Sequence, residues 1–335
     1  MTYADIASAS DLVYYPDTEP GIRRKRAGRG FSYVAADGTR IDDTGERARI
    51  AAIAVPPAYG DVWISPLPRG HLQATGLDDR SRKQYRYHAD WTAHHAQLKF
   101  GKLADFADSL PSLRRWIADR LRGTVGDRDV AIAATLALID RASLRVGNGC
   151  YRDENGSYGA TTMLREHGDF ADGRVRLDYI GKGGAHIEKD FHAPRLAAVL
   201  EACQDLPGAE IITWQDDAGD PHPVRSEQIN EVLHGICGGT VTAKTMRTWN
   251  GTLSAFNTAH GIASPTIKAL SEAAARTLHN TPTVARNSYV HPAVIELATL
   301  DDASRSDIFT RLDAVPDRSG LRAGEAALAT FLRDG

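Results

Sequence analysis

Between His279 and His291 the chain reads HNTPTVARNSYVH, and the residue there best suited to chemistry is its one tyrosine, Tyr289. Thr281-Pro282-Thr283 is helix-start punctuation and His291-Pro292 is a break, which predicts a short helix ending in a phenol aimed out of the fold. An unperturbed phenol, with a pKa near 10, is ionised in roughly one molecule in a thousand at neutral pH. Such a weak nucleophile becomes effective only where cationic donors stabilise the phenolate and the anion it attacks. Four cations could serve. Arg145 follows the nearly all-apolar run VAIAATLALIDRASL. A buried helix ending in arginine is unusual because unpaired buried charge is costly, although such a cation can also simply satisfy last-turn carbonyls. Lys182 lies among glycines in YIGKGG, where it is either solvated or an arm able to reach a phosphate or a leaving oxygen. Lys244 and Arg247 stand three apart in TAKTMRTWNGT, beside Trp249. With Thr242 as N-cap they share one face near a helix N-terminus, which is an anion site or just two solvated cations.

The elements that must position these groups change character along the chain. FSYVAADGTRIDD predicts a hairpin turning at Asp37-Gly38. Asp43 with Glu46 three residues on predicts a capped helix over GERARIAAI, and short strands are expected around 62–64 and 71–75. From Trp91 the period becomes helical, with helices expected over 91–110, 112–121 and 128–143, the last buried on all sides. RVRLDYIGKGGAHIEKDF predicts a hairpin whose tip carries Lys182. Helices are expected again over 195–205, 226–237, 242–260 and 265–279. This is an α+β chain in two parts: a small antiparallel β-sheet domain over 1–88 and a larger, mainly α-helical domain over 89–335 with its own short sheet.

Two basic stretches lie in the first part. EPGIRRKRAGRG places Arg23, Arg24, Lys25 and Arg26 in a row between glycines, as a solvated loop or as an arm that neutralises phosphates without reading sequence. It lacks the order of a nucleotide-binding P-loop. In RSRKQYRYHADW, which joins the two parts, cations alternate with Gln84, Tyr85 and Tyr87. That pattern suits a nucleic-acid backbone, or a polar linker with its tyrosines packed away.

With 335 residues, 42% hydrophobic and 25% charged, the chain has the composition of a globular protein of two domains. No apolar run approaches the roughly 20 residues of a membrane helix, and the first residues lack the order of a secretory signal. Cys150, Cys203 and Cys237 are scattered and odd in number, which predicts reduced thiols in a cytoplasm. A net charge of −3, from 40 basic and 43 acidic residues, neither announces nor excludes a nucleic-acid partner. The histidines and cysteines make no metal-ligand pattern, so no metal and no other cofactor is expected.

Taken in order, LRVGN around Arg145, YIGKGG around Lys182, TAKTMRTWNGT around Arg247 and NTPTVARNSY ending at Tyr289 resemble the motifs of the small bacterial and poxvirus type IB DNA topoisomerases. EPGIRRKRAGRGFSY and KQYRYHADW resemble that family's N-terminal domain and the segment after it, so the likeness covers most of the chain. It implies a C-shaped clamp around double-stranded DNA, acting without membrane, metal or ATP, as a monomer in the cytoplasm at the nucleoid. Tyr289 would be the nucleophile forming a 3′-phosphotyrosyl bond. Arg145 and Arg247 would hold the non-bridging oxygens, and Lys182 would be the general acid for the 5′ oxygen. Many members have histidine just before the Thr-Pro pair; this chain has Asn280 there, as bacterial members tend to. The donor role therefore falls to Asn280 and not to His279. Lys244, Tyr151, Tyr85, Tyr87 and Gln84 match the family's DNA contacts, with Arg23, Arg24, Lys25 and Arg26 as the basic arm. Two rivals remain at this level. A tyrosine recombinase shares the Arg-Lys-Arg-Tyr chemistry but usually has HxxR where this chain has Lys244 and Arg247, and a non-catalytic DNA-binding clamp would keep the fold without the reaction.

Overall fold

In the computed structural model, which describes residue 7 and residues 11–334 (the backbone alone at 150, 151 and 154), the chain divides into two compact units, 1–101 and 102–335. The first is built on a five-stranded antiparallel sheet in the order β2-β1-β3-β4-β5. Its strands are β1 (Ile22–Ala27), β2 (Gly30–Val34), β3 (Gly60–Ile64), β4 (Leu72–Leu77) and β5 (Lys83–Tyr87). Alternation decides its faces. Val62 and Ile64 join Ile22, Ala74 and Ile50 of α1 (Thr44–Ala52) in one apolar core. Trp63 points the other way, and its indole Nε1 donates to Glu19 O at 3.0 Å. Gly21 lies so close that a Cβ would fall 1.9 Å from that nitrogen, so only glycine fits. The α1 cap is as expected, with the Asp43 carboxylate accepting from Glu46 N at 2.7 Å.

Three expectations change here. The run Arg23–Arg26 is no loop but the central part of β1, paired to β2 and β3. Residues 83–87 are no linker but the edge strand β5, paired to β4. Asp37-Gly38 does turn the chain, with Ala35 N donating to Thr39 O at 2.8 Å. The returning arm, however, makes only a single bridge, Val34↔Arg40; the full partner of β2 is β1. Charged side chains hid both strands, because each lies half in solvent and pairs through its backbone. The unit ends with α2 (Ala89–Phe100), whose Trp91 packs with Leu12 and Ala7.

The second unit is mainly helical. One long helix, α3 (Leu103–Arg120), replaces the expected break before Ser112 and runs through Pro111. Leu103, Phe106, Ala107, Leu110, Leu113 and Ile117 form one buried stripe across the proline, and that burial outweighs the backbone hydrogen bond the imino acid removes. The interruption falls earlier, at Gly101-Lys102. Helix α4 (Arg128–Ala142) is buried on nearly every side, as its composition demands. After α5 (Gly149–Asn155) comes a three-stranded sheet, β6-β7-β8: β6 (Gly168–Asp169), β7 (Arg174–Gly181) and β8 (Ala185–His192). The β7–β8 hairpin is in register from Arg174↔His192 to Gly181↔Ala185. Beyond it lie α6 (Pro194–Cys203), the short pair β9 (Thr213–Gln215) and β10 (Pro221–Pro223), and α7 (Ser226–Cys237). The remainder is helical: α8 (Ala243–Gly261), α9 (Ile267–Leu278), α10 (Pro282–Tyr289), α11 (Pro292–Glu296), α12 (Asp302–Asp313) and α13 (Glu325–Asp334). Among the described residues no helix is long and apolar enough to cross a membrane.

Candidate active site

Arg145 owes its place to how α4 ends. Ser143 adopts a left-handed conformation (φ 56°), which stops the helix. The extended segment beyond it is fastened by Ala160 N to Arg145 O (2.8 Å) and Thr161 N to Val146 O (2.7 Å). The side chain then reaches Asn280, its Nη2 donating to Asn280 Oδ1. Asn280 is presented in a similar way. His279 takes a left-handed conformation (φ 49°) at the end of α9, and Asn280 N turns back on Ala275 O at 3.1 Å.

Arg247 leaves α8 sideways into the protein and is only 4% exposed. Its Nη1 donates to Ser143 O and its Nη2 to Leu278 O at 2.9 Å, so one guanidinium holds the ends of two helices. Burial, and next the neighbouring Arg145, push its pKa down to about 10, against the pull of Tyr289. Its Cζ lies 5.3 Å from the centre of the Tyr289 ring. Lys244, one turn earlier on the same helix, is exposed, so the two cations do not share a solvent face.

Three buried donors in this group have no acceptor among the described residues: Arg145 Nη1, Arg247 Nε and Asn280 Nδ2. Buried N–H groups are nearly always satisfied, and each orphan costs free energy. Among the described residues neither guanidinium pairs with a carboxylate. A cluster of this kind is organised for an anion with several oxygens.

Tyr289 is the last residue of α10, which starts at the expected cap, Thr281 Oγ1 accepting from Val284 N at 3.3 Å. Its backbone is held by α8. Thr252 Oγ1 donates to Tyr289 O at 3.1 Å and accepts from His291 N at 3.1 Å. A Cβ on Gly251 would come within 3.0 Å of Tyr289 O and 2.7 Å of Leu278, so this glycine lets the Tyr289 backbone approach. Lys182 is exposed at the tip of the β7–β8 hairpin, in a turn closed by Gly184 N to Gly181 O at 3.1 Å. Lys182, Arg145 and Asn280 line one cleft of about 940 Å³, together with Arg276, His279 and Thr281.

The residues expected to touch DNA are placed unevenly. In the first unit, Lys25 and Arg26 project from β1 into solvent, and Arg23 does so while paired to Asp61 at 3.1 Å. Arg24 faces inward: its guanidinium stacks on Phe31 and donates to the carbonyls of Val55, Pro56 and Tyr59. Tyr85 and Tyr87 are 48% and 45% exposed and stack, with ring centres 6.1 Å apart. Gln84 is tied to Asp78 at 3.0 Å. The Tyr151 side chain lies outside the described residues.

Spacing and residue type do not single out several neighbours of the site. Thr252 and Gly251 stand in the same stretch as Arg247 but carry no chemical signal of their own. Tyr179, on β7, is buried, and burial pushes its phenol up to about 12 against the influence of Arg247 and Arg145. Lys189 does carry a legible signal, since alternation puts it on the inward face of β8 with Ile187 and Phe191. One group with metal-ligand geometry does occur among the described residues, Asp178, His186 and Glu188, all exposed on β7 and β8, with the His186 ring between the two carboxylates.

Two family models match the chain one after the other. Residues 30–78 match the family described as bacterial DNA topoisomerase IB, N-terminal domain. Residues 88–295 match the family described as eukaryotic DNA topoisomerase I, catalytic core. A DNA topoisomerase 1B of Acanthamoeba polyphaga mimivirus is 27% identical over 237 residues, covering 70% of this chain and 70% of that protein. The catalytic-core match alone spans more than half the chain and includes the two arginines, the hairpin lysine and the tyrosine, so this chain belongs to the type IB DNA topoisomerases.

Proposed function

We propose that this topoisomerase relaxes supercoiled duplex DNA by a metal- and ATP-independent transesterification at Tyr289. The observation that carries the reading is the convergence of three buried, acceptor-less donors from Arg145, Arg247 and Asn280 beside that phenol. A phosphodiester seated there would present its non-bridging oxygens to these donors, and they would stabilise the charge that grows as the fifth bond forms. The Tyr289 phenol loses its proton to water as its oxygen attacks phosphorus, and the bond to the 5′ oxygen breaks. That oxygen takes a proton from Lys182, which the hairpin tip brings to the same cleft. The energy of the diester is kept in the 3′-phosphotyrosyl bond, so the reverse attack by the 5′ hydroxyl reseals the strand after the free end has swivelled.

The first unit would add contacts that position and do not read sequence, through Lys25, Arg26, Arg23, Tyr85 and Tyr87. Lys244 would add a phosphate contact at the start of α8. The enzyme would act on double-stranded DNA as a monomer, in the cytoplasm at the nucleoid. The test is plasmid relaxation in EDTA without ATP. Wild type should relax the plasmid and, with denaturant, be trapped on a 3′ end, while Tyr289→Phe should do neither. Relaxation by Tyr289→Phe would remove the tyrosine from the reaction.

A further inference from the structure

Lys189 sits where a lysine is not expected. Strand β8 alternates, with His186, Glu188 and Asp190 outward and Ile187, Lys189 and Phe191 inward. Its cross-strand partner is the buried Leu177. From there its ammonium crosses to α9, Nζ donating to Thr277 O at 3.2 Å. The next carbonyl, Leu278 O, receives Arg247 Nη2 at 2.9 Å. Two consecutive last-turn carbonyls of α9 are thus capped by cations from two other elements, β8 and α8. Those carbonyls lack intrahelical partners and form the negative end of the helix, so cations belong there. Yet these two cations are brought close together: burial, and next Arg247, push the Lys189 pKa down to about 8. His279, one residue beyond Leu278, is pushed down to about 4, by burial first and then by Lys189, Arg247 and Arg145. A purely structural cap would be better served by a neutral donor. Directly after the capped turn and His279 comes Asn280, already bonded to Arg145.

We infer that Lys189 is a positioning residue for strand cleavage: by capping the last turn of α9 it holds Asn280 and Arg247 at the spacing the scissile phosphate requires. This rests on the cleavage chemistry proposed above. The ammonium does not touch the phosphate; it acts through Thr277 and the turn at His279.

The test uses the full chain with a DNA duplex bearing a nick-trapping suicide site, comparing wild type, Lys189→Met and Lys189→Arg. Covalent adduct under single turnover, non-covalent affinity of each protein in the Tyr289→Phe background, and thermal midpoint are measured in parallel. Lys189→Met should form adduct about tenfold or more slowly, with affinity within about twofold and an unchanged or higher midpoint, because a buried charge beside Arg247 has been removed. Lys189→Arg, which keeps the charge and a donor, should recover most of the rate. The inference is overturned if Lys189→Met cleaves at the wild-type rate. It is equally overturned if the loss tracks a fallen midpoint and arginine does not restore it. Absence of adduct from wild type itself would instead strike the underlying tyrosyl mechanism.

Discussion

Asn280 carries two tasks on one amide. Its Oδ1 accepts from Arg145, while its Nδ2 is buried without an acceptor. Substitutions can separate them. Asn280→Ala removes both and should slow cleavage by about 10²-fold, equivalent to ~3 kcal/mol, the cost typical of one lost oxyanion donor. Asn280→Asp keeps the acceptor for Arg145 but deletes the donor and puts a negative charge where phosphate should sit, so it should be at least as slow. Single-turnover cleavage measures both, and an aspartate variant at wild-type rate would show that Nδ2 is not the working atom. At this scale the sequence singles out residues that belong to a spaced motif, as with Arg145, Lys182, Arg247 and Tyr289. It is silent where a role depends on a distant carbonyl. Alternation marks Lys189 as inward-facing, but its carbonyl partner Thr277 lies 88 positions away, as Tyr289 lies 37 from Thr252, and no local pattern encodes either contact.

Elements turn such residues into a site, and β1 displays the logic most simply. Alternation sends Lys25 out to solvent and Arg24 in, where three carbonyls and the Phe31 ring occupy its guanidinium. Adjacent cations in one basic run should therefore respond differently to removal. Lys25→Ala should leave stability within about 0.5 kcal/mol and weaken DNA binding, lowering the slope of log affinity against log salt by about 1. Arg24→Ala should cost roughly 1–3 kcal/mol of stability, because three half-buried carbonyls lose their donor. Chemical denaturation beside a salt titration of binding distinguishes them, and the assignment fails if Arg24→Ala alters only the salt slope. The same strand explains why part of the fold was hard to read. Helices α4, α7, α8 and α9 and the β7–β8 hairpin obey a hydrophobic period or a glycine turn, and their expected and observed spans nearly coincide. In β1 an arginine takes the place an apolar residue would mark, and β5 shows solvent a run of lysine, arginine and tyrosine. Backbone pairing defines both strands, and pairing leaves no trace in composition.

Across the whole catalytic unit, one buried ionic network ties the last helix to the site. Glu325, at the start of α13 and fully buried, accepts from Arg114 Nη1 (2.6 Å) and Nη2 (2.8 Å), from Trp249 Nε1 (3.0 Å) and from Arg322 N (2.6 Å). Arg114 also donates to Asp140 through Nε (3.1 Å), and Arg322 closes the group on the same carboxylate. Asn250 bridges Asp140 O (3.0 Å) to Ser143 Oγ (2.9 Å), and Ser143 O holds Arg247. Two carboxylates face two guanidiniums, so charge is balanced only while all four members remain. Burial alone would raise the Glu325 pKa, but the hydrogen bonds and charge of Arg114 together with the Arg322 N and Trp249 hydrogen bonds outweigh it and hold the carboxyl below its ordinary 4.5. A carboxyl depressed in the folded state contributes stability that is present above the unfolded pKa and is lost as pH falls through the folded value. Glu325→Gln preserves shape and the acceptor for Trp249 but leaves the guanidiniums in excess, which should cost about 3–5 kcal/mol at pH 7. Because protonated wild type resembles the variant, the gap between them should narrow once pH drops below 4.5. Urea denaturation of both proteins from pH 7 to acid measures that gap, and a difference that stays constant with pH would mean that packing, not the Glu325 charge, anchors α13.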